Sequence, residues 1–142
     1  MIVPDVNVLL FAHDEMARKH AVARRWWEAT LSADEPVGVP WVVVLAFTRL
    51  VTHPTICSDP LSTPDARRRV ERWFEQPHVR LLVPGTDTFA LFFDLLEAAG
   101  LGGNLTTDAL IAAHAIEHGA TLFSTDLDFG RFHDLKWIDP LA

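Results

Sequence analysis

Four carboxylates, Asp5, Asp108, Asp126 and Asp128, stand where short apolar runs give way to a helix or loop, or on a helix's first turn. MIVPD leads into VNVLLFAH, GNLTTD into ALIAAHAIEHG, and TLFSTD into LDFGRF. In an open parallel sheet the carboxyl ends of the strands gather along one edge, where ligands bind. Carboxylates crowded there repel one another unless a divalent cation or a shared proton neutralises them. These residue types in this pattern predict a magnesium or manganese site and, with it, phosphate chemistry. Each acid taken alone also has a capping explanation. Asp is a preferred N-cap, which suits Asp5 and Asp126, and a negative charge is favoured in the first helical turn, which suits Asp108. The conjunction, with Asp126-Leu127-Asp128 echoed by Asp5-Val6-Asn7, is what points to a metal.

The elements that must position these groups follow from apolar periodicity and punctuation. Residues 2–5 read as a buried strand that Pro4 ends early or leaves short of a ladder donor. Val6–His13 reads as a brief helix and Met16–Leu31 as a longer one rich in good helix formers. Val37–Val39 suits a second strand, and Trp41–Thr52 a buried helix ending before Pro54. Thr55–Pro64 is loop, and Thr63 caps a helix over Pro64–Glu75 with proline at its first position. Val79–Val83 is a third strand, and Thr86–Ala99 a helix closed by Gly100. Gly100–Asn104 is a flexible turn, followed by an Ala-rich helix over Leu105–His118 closed by Gly119. Thr121–Ser124 is a fourth strand and Lys136–Ile138 a fifth at the edge. Strands alternating with helices imply right-handed crossovers and a three-layer α/β/α sandwich with a central parallel sheet of four to five strands.

The chain has 142 residues, 49% of them hydrophobic, with a net charge of −7. That length predicts one domain over residues 1–142, with no repeat or linker, and the composition excludes dominant disorder. No apolar run is long enough to cross a membrane. The N-terminus lacks the basic segment of a secretory signal, and a single Cys57 is read as packing filler; both point to the cytoplasm. The acidic balance, 12 Lys+Arg against 19 Asp+Glu, argues against tight gripping of long duplex nucleic acid. It is compatible with a nuclease whose acids are neutralised by metal.

The residues DVNVLLFAHD, TDALIAAHAIEHGATLFSTDLDFGRF and DLKWIDPL carry a resemblance that spans nearly the whole chain. The ordered set D-x-N, T-D-A-x-x-A-A and S-T-D-x-D-F resembles the PIN-domain family, in particular the ribonuclease toxins of VapBC-type toxin–antitoxin pairs. The resemblance implies a PIN-like fold and a metal-dependent endoribonuclease that hydrolyses structured RNA of the transfer or ribosomal class. It matches Asp5, Asp108 and Asp126 to the family's catalytic, metal-binding acids, with Asp128 as an accessory carboxylate and Mg2+ or Mn2+ as cofactor. Asn7 matches a small polar residue after the first acid, and Thr125 a hydroxyl that orients a carboxylate. It also implies a cognate VapB-like antitoxin and a toxin–antitoxin hetero-oligomer. Because an acidic pocket is a socket for a guanidinium, the partner is expected to lay an apolar helix along the Ala/Trp/Phe-rich helices and insert Arg or Lys near Asp5 and Asp108. Exposed apolar helical surface predicts that the chain alone forms a homodimer. The sequence departs from the family at VVVLAFTRL, where Val44 takes the place of a usual Glu while Phe47 and Arg49 fit. Either fewer acids suffice, or Asp94 substitutes, or the chain is a weak or inactive scaffold that binds RNA or protein.

Other patterns lead to blander readings. A phospho-aspartate receiver or phosphatase needs a Lys beside the acids, and only Lys19 and Lys136 exist, each in the wrong context. His114 and His118 at i, i+4 can hold zinc, but HAIEH lacks the H-E-x-x-H order and an evident third ligand, so a partly exposed helical face is expected. The run Arg67, Arg68, Arg69 and Arg72 is a solvated face or an RNA contact. Trp26 and Trp27 point about 100° apart on a helix, so one packs and the other suits an interface. Phe89, Phe92, Phe93 and Leu96 form an apolar stripe expected in the core.

Overall fold

The computed structural model describes residues 1–100 and 102–142. Five short strands form one all-parallel sheet in the order β3-β2-β1-β4-β5. They are β1 (Ile2–Pro4), β2 (Val37–Pro40), β3 (Val79–Leu82), β4 (Thr121–Phe123) and β5 (Lys136–Ile138). The helices are α1 (Val6–His13), α2 (His20–Ser32), α3 (Trp41–Val51), α4 (Thr63–Phe74), α5 (Thr86–Ala99) and α6 (Thr106–Glu117). Their alternation with parallel strands gives the expected α/β/α sandwich, and β5 takes the expected edge beside β4.

The strand order has one consequence for the site. From β1 the chain winds outward through β2 to β3, then returns across the sheet to place β4 on the other flank of β1. The switch therefore falls between β1 and β4, whose register pairs Ile2 with Thr121, Val3 with Leu122 and Pro4 with Phe123. A crevice outside the strand carboxyl ends forms at such a switch. Asp5 follows β1 and Asp126 follows β4, so topology alone makes them neighbours. Pro4 fits because its missing N–H lies on the β2 side, where the ladder stops after Ile2 opposite Val37. On the β4 side the ladder continues one step further, with Asp5 N–H donating to the Phe123 carbonyl at 3.0 Å.

The core reads from the strands' continuous apolar character, as buried parallel sheets require. Val3, Val37, Val39 and Leu122 are fully buried in the sheet, and Val8, Val43, Phe47 and Val51 seal one face of it from α1 and α3. Trp73 closes that layer, with ring centroids 4.7 Å from Phe47 and 5.8 Å from Trp27. Gly38 is required by close approach: a Cβ there would lie 2.7 Å from the Leu82 side chain. Cys57 is buried, as packing filler should be.

Three expectations are corrected, and a fourth falls partly outside the described residues. Helix α2 begins at His20 and not at Met16, because Oδ1 of Asp14 accepts the Met16 N–H at 3.0 Å and holds the intervening residues in turns. Helix α4 is capped by Ser62 and not by Thr63: the Ser62 hydroxyl accepts the Asp65 N–H at 3.2 Å, and Pro64 falls one position inside. The expected turn over Gly100–Asn104 includes Leu101, which lies outside the described residues; on either side of it Gly100 closes α5 in the left-handed region at φ 64° and Gly103–Leu105 form a 3-10 turn. The Phe stripe of α5 is not core throughout. Leu96 is buried, but Phe89 and Phe93 are 66% and 46% exposed, because α5 packs on α6 and its outer face has no cover among the described residues.

Trp27 is buried as one of the tryptophan pair should be, while Trp26 stacks on Phe123 with centroids 5.4 Å apart and is half-buried. No helix among the described residues is long and apolar enough to cross a membrane.

Candidate metal centre

Asp108, Asp126 and Asp128 each offer a carboxylate oxygen, and these oxygens lie within 4.8 Å of one another. They come from two separate stretches of chain. Asp108 sits in the first turn of α6, while Asp126 precedes and Asp128 lies within the 3-10 turn Leu127–Arg131 that follows β4. Asp126 caps that turn, its Oδ1 accepting the Asp128 N–H at 2.9 Å. Asp128 is half-buried and has Arg131 at 3.5 Å. Asp5 adjoins the trio from the end of β1 and is only 4% exposed.

Capping and clustering are thus combined in the same side chains. Asp5 caps α1 through Oδ1, which accepts the Val6 N–H at 2.7 Å, while Oδ2 accepts the Ser124 hydroxyl at 2.7 Å. Ser124 is fully buried and is the hub of the site: its oxygen also accepts the Asp126 N–H at 3.0 Å and the Asn7 side-chain amide at 3.3 Å. The hydroxyl joined to a site carboxylate therefore belongs to Ser124, one residue before Thr125. Asn7 joins the same network from the first turn of α1. Ser124 and Thr125 offer the same hydroxyl in the sequence, so no local signal separates them.

The electrostatics follow from this crowding. Burial raises the Asp5 carboxyl above its ordinary range, opposed by the Ser124 and Val6 hydrogen bonds and aided by the Asp126 charge. Burial, followed by the charges of Asp5, Asp126 and Asp128, pushes Asp108 up to about 7. An acid held so high by burial and by neighbouring like charges is what a cation would relieve. Oxygen-only ligands of this kind suit a hard cation such as Mg2+ or Mn2+, which is held by one or two carboxylates plus waters and substrate phosphates. The residues present fit such an ion.

Val44 is 7% exposed within the hydrophobic core, and Asp94 is exposed on α5 and is not among the charges acting on Asp108. Lys136 opens β5, at the sheet edge opposite to the acids. Arg67 pairs with Glu71 and Arg68 with Asp65, whereas Arg69 and Arg72 line a cleft of about 370 Å³ with Trp27, Phe47, Trp73 and Glu28. The expectation of a partly exposed His114 is corrected: α5 packs against α6, and His114 is fully buried while His118 is exposed.

Comparison with known proteins agrees with this geometry. The PIN domain family model matches residues 2–135. The chain is 39% identical to Ribonuclease VapC33 of Mycobacterium tuberculosis over 141 residues, covering 99% of both chains. It superposes on VapBC2 from Rickettsia felis, bound to a DNA fragment from their promoter, with a TM-score of 0.69 at 20% identity, over 97% of this chain and 98% of that one. It also superposes on Mycobacterium tuberculosis VapC20, a sarcin-ricin loop cleaving toxin, with a TM-score of 0.69 at 17% identity, over 92% and 93% of the two chains. With an acidic cluster at the sheet's switch point and a likeness in sequence that runs end to end, the chain belongs to the PIN-domain family and to its VapC ribonucleases.

Proposed function

We propose that this chain is a divalent-metal-dependent endoribonuclease, the toxin of a toxin–antitoxin pair, in which residues 1–142 work as one PIN-like domain. The observation that carries the reading is the convergence of Asp108, Asp126 and Asp128 to within 4.8 Å beside buried Asp5. Capping and the helix dipole favour each acid singly, but not their mutual repulsion, which a bound cation would relieve. Asp108, Asp126 and Asp5 would hold the ion, with Asp128 as an accessory carboxylate. When bound, Mg2+ or Mn2+ supplies charge neutralisation and Lewis acidity for hydrolysis of a phosphodiester. The chain's own part is positional. Ser124 fixes the rotamer of Asp5 and ties it to the backbone of Asp126, and Asn7 steadies Ser124. Thr125, half-buried beside Asp126, stands next to the same carboxylates.

Structured RNA of the ribosomal or transfer class is the substrate we infer, supported by the likeness to a toxin named for cleaving the sarcin-ricin loop. A VapB-like antitoxin is the inferred partner, supported by the VapBC complex above. The antitoxin would place an apolar helix on the toxin and an Arg or Lys against Asp5 and Asp108, since a guanidinium can form two hydrogen bonds to a carboxylate. Self-association as a homodimer is supported by the exposed apolar residues Trp41 and Leu45 on α3 and Phe89 and Phe93 on α5. The cytoplasm, where RNA and antitoxin meet, is the inferred compartment.

Incubating the protein with total RNA in Mg2+ or Mn2+, with and without EDTA, tests the reading. Metal-dependent fragments that vanish in Asp108→Asn are expected; cleavage indifferent to EDTA would overturn it. A second reading, a weak or inactive PIN scaffold, is favoured by one observation: Val44 occupies the family's Glu position from within the core. RNA binding without cleavage in either metal would select it.

A further inference from the structure

We propose that His114, Glu117 and His118, at the far end of α6 from the acids, form a second cation site that takes Zn2+. Their ligand atoms lie within 4.8 Å of one another. From Asp108 to Glu117 the helix climbs about 14 Å at its standard rise per residue, so the two sites cannot share an ion.

The observation that points to a ligand is His114. Its side chain is fully buried, yet neither Nδ1 nor Nε2 has a hydrogen-bond partner. A buried imidazole with both nitrogens unsatisfied is a rare arrangement that calls for an unseen partner. Glu117 and His118 are exposed at the helix end, and a ring nitrogen of His114 lies within 4.8 Å of their ligand atoms. Glu117 is already aimed: its Oε2 accepts the hydroxyl of buried Thr88 on α5 at 2.5 Å. Metal ligands are oriented by such outer hydrogen bonds. The carboxyl end of a helix also carries partial negative charge, which favours a cation.

The donor set decides the metal. Two imidazoles and one carboxylate with a fourth position open to water match zinc in tetrahedral coordination, whereas Mg2+ prefers oxygen alone. The chain thus presents a hard-cation site at the start of α6 and an imidazole site at its end. Arg80 is the competitor, because its guanidinium lies 3.3 Å from Nδ1 of His118 and brings positive charge. It is exposed on β3 and free to swing aside. Occupancy would clamp the last turn of α6 and, through Thr88, its seam with α5.

The test is calorimetric titration of ZnCl2, in a buffer containing Mg2+, into the triple variant Asp5→Asn/Asp108→Asn/Asp126→Asn, whose acid centre is silenced. One Zn2+ per chain is expected. In the same background His118→Ala and Glu117→Gln, both at exposed positions, should weaken binding at least about tenfold, and Arg80→Ala should tighten it. Co2+ should give visible absorption bands that disappear in His118→Ala. Should the triple variant fold poorly, the wild-type chain saturated with Mg2+ serves, with a Zn2+-induced rise in Tm that His118→Ala removes. No saturable Zn2+ binding, or binding unchanged by His118→Ala and Glu117→Gln, overturns the proposal.

Discussion

The Ser124 hydroxyl donates a 2.7 Å hydrogen bond to Oδ2 of Asp5, joining the ends of β4 and β1 across the sheet's switch point. One oxygen atom thereby sets the distance between the two strand-end carboxylates, because it also accepts the Asp126 N–H. Replacing it should loosen the site without unfolding the chain. Ser124→Ala is expected to lower Mn2+ affinity and RNA cleavage by about 10–100-fold, the usual effect of losing an orienting partner. Calorimetry and a cleavage assay on the folded variant check this.

Asp108→Asn should abolish cleavage, with a loss on the order of 100-fold or more, the scale seen when one preorganised electrostatic group is removed. Without metal its stability at pH 8 should equal or exceed that of the wild type, because a like charge leaves the cluster. Urea denaturation measures the second effect. A clear drop in metal-free stability would mean that Asp108 serves the helix and not an ion.

The raised pKa of Asp108, about 7, makes a pH prediction. A carboxyl with a higher pKa folded than unfolded binds its proton more tightly in the native state. Its contribution to stability is therefore complete below pH of about 4 and is lost as pH rises through about 7. Metal-free protein should lose stability across that window, by an amount reduced by the solvent that reaches Asp108. Saturating Mg2+ or Mn2+ should flatten the slope and raise Tm, since binding to the folded state adds stability. Thermal melts from pH 4 to 8, with and without metal, read both effects.

Val44→Glu introduces the acid that the family resemblance expects at this position. The side chain would enter a core position that is 7% exposed, where an unpaired charge has no partner. Destabilisation by about 2–4 kcal/mol is expected, with no gain in cleavage. Chemical denaturation together with the RNA assay distinguishes this from a gain in metal affinity.

Phe89→Asp places a charge on the uncovered face of α5, at a position 66% exposed. The fold should persist, within about 0.5 kcal/mol, as for most surface substitutions. A dimer that uses this face should shift to monomer, which sedimentation velocity reads directly. An unchanged sedimentation profile would move the dimer contact to another surface.

Asp5 and Asp126 are legible from local rules as carboxylates that close short apolar runs, and Asp108 as an acid in a helix's first turn. Alternation of those runs with helical stretches is enough for a parallel α/β/α sheet and its five strands. Their meeting is not local. Asp5 and Ser124 are 119 positions apart, and only the return of the chain to pair β4 with β1 brings them into contact. Ser124 and Thr125 offer the same hydroxyl one residue apart, and the backbone leaving β4 turns the first of them toward Asp5. The same limit applies to faces. Phe89, Phe93 and Leu96 have the spacing of a buried stripe, and His114 shares a helical face with His118, yet docking of α5 on α6 buries Leu96 and His114 and leaves the other three exposed. Periodicity states that a face exists; burial depends on what packs against it, and that is a property of the folded chain.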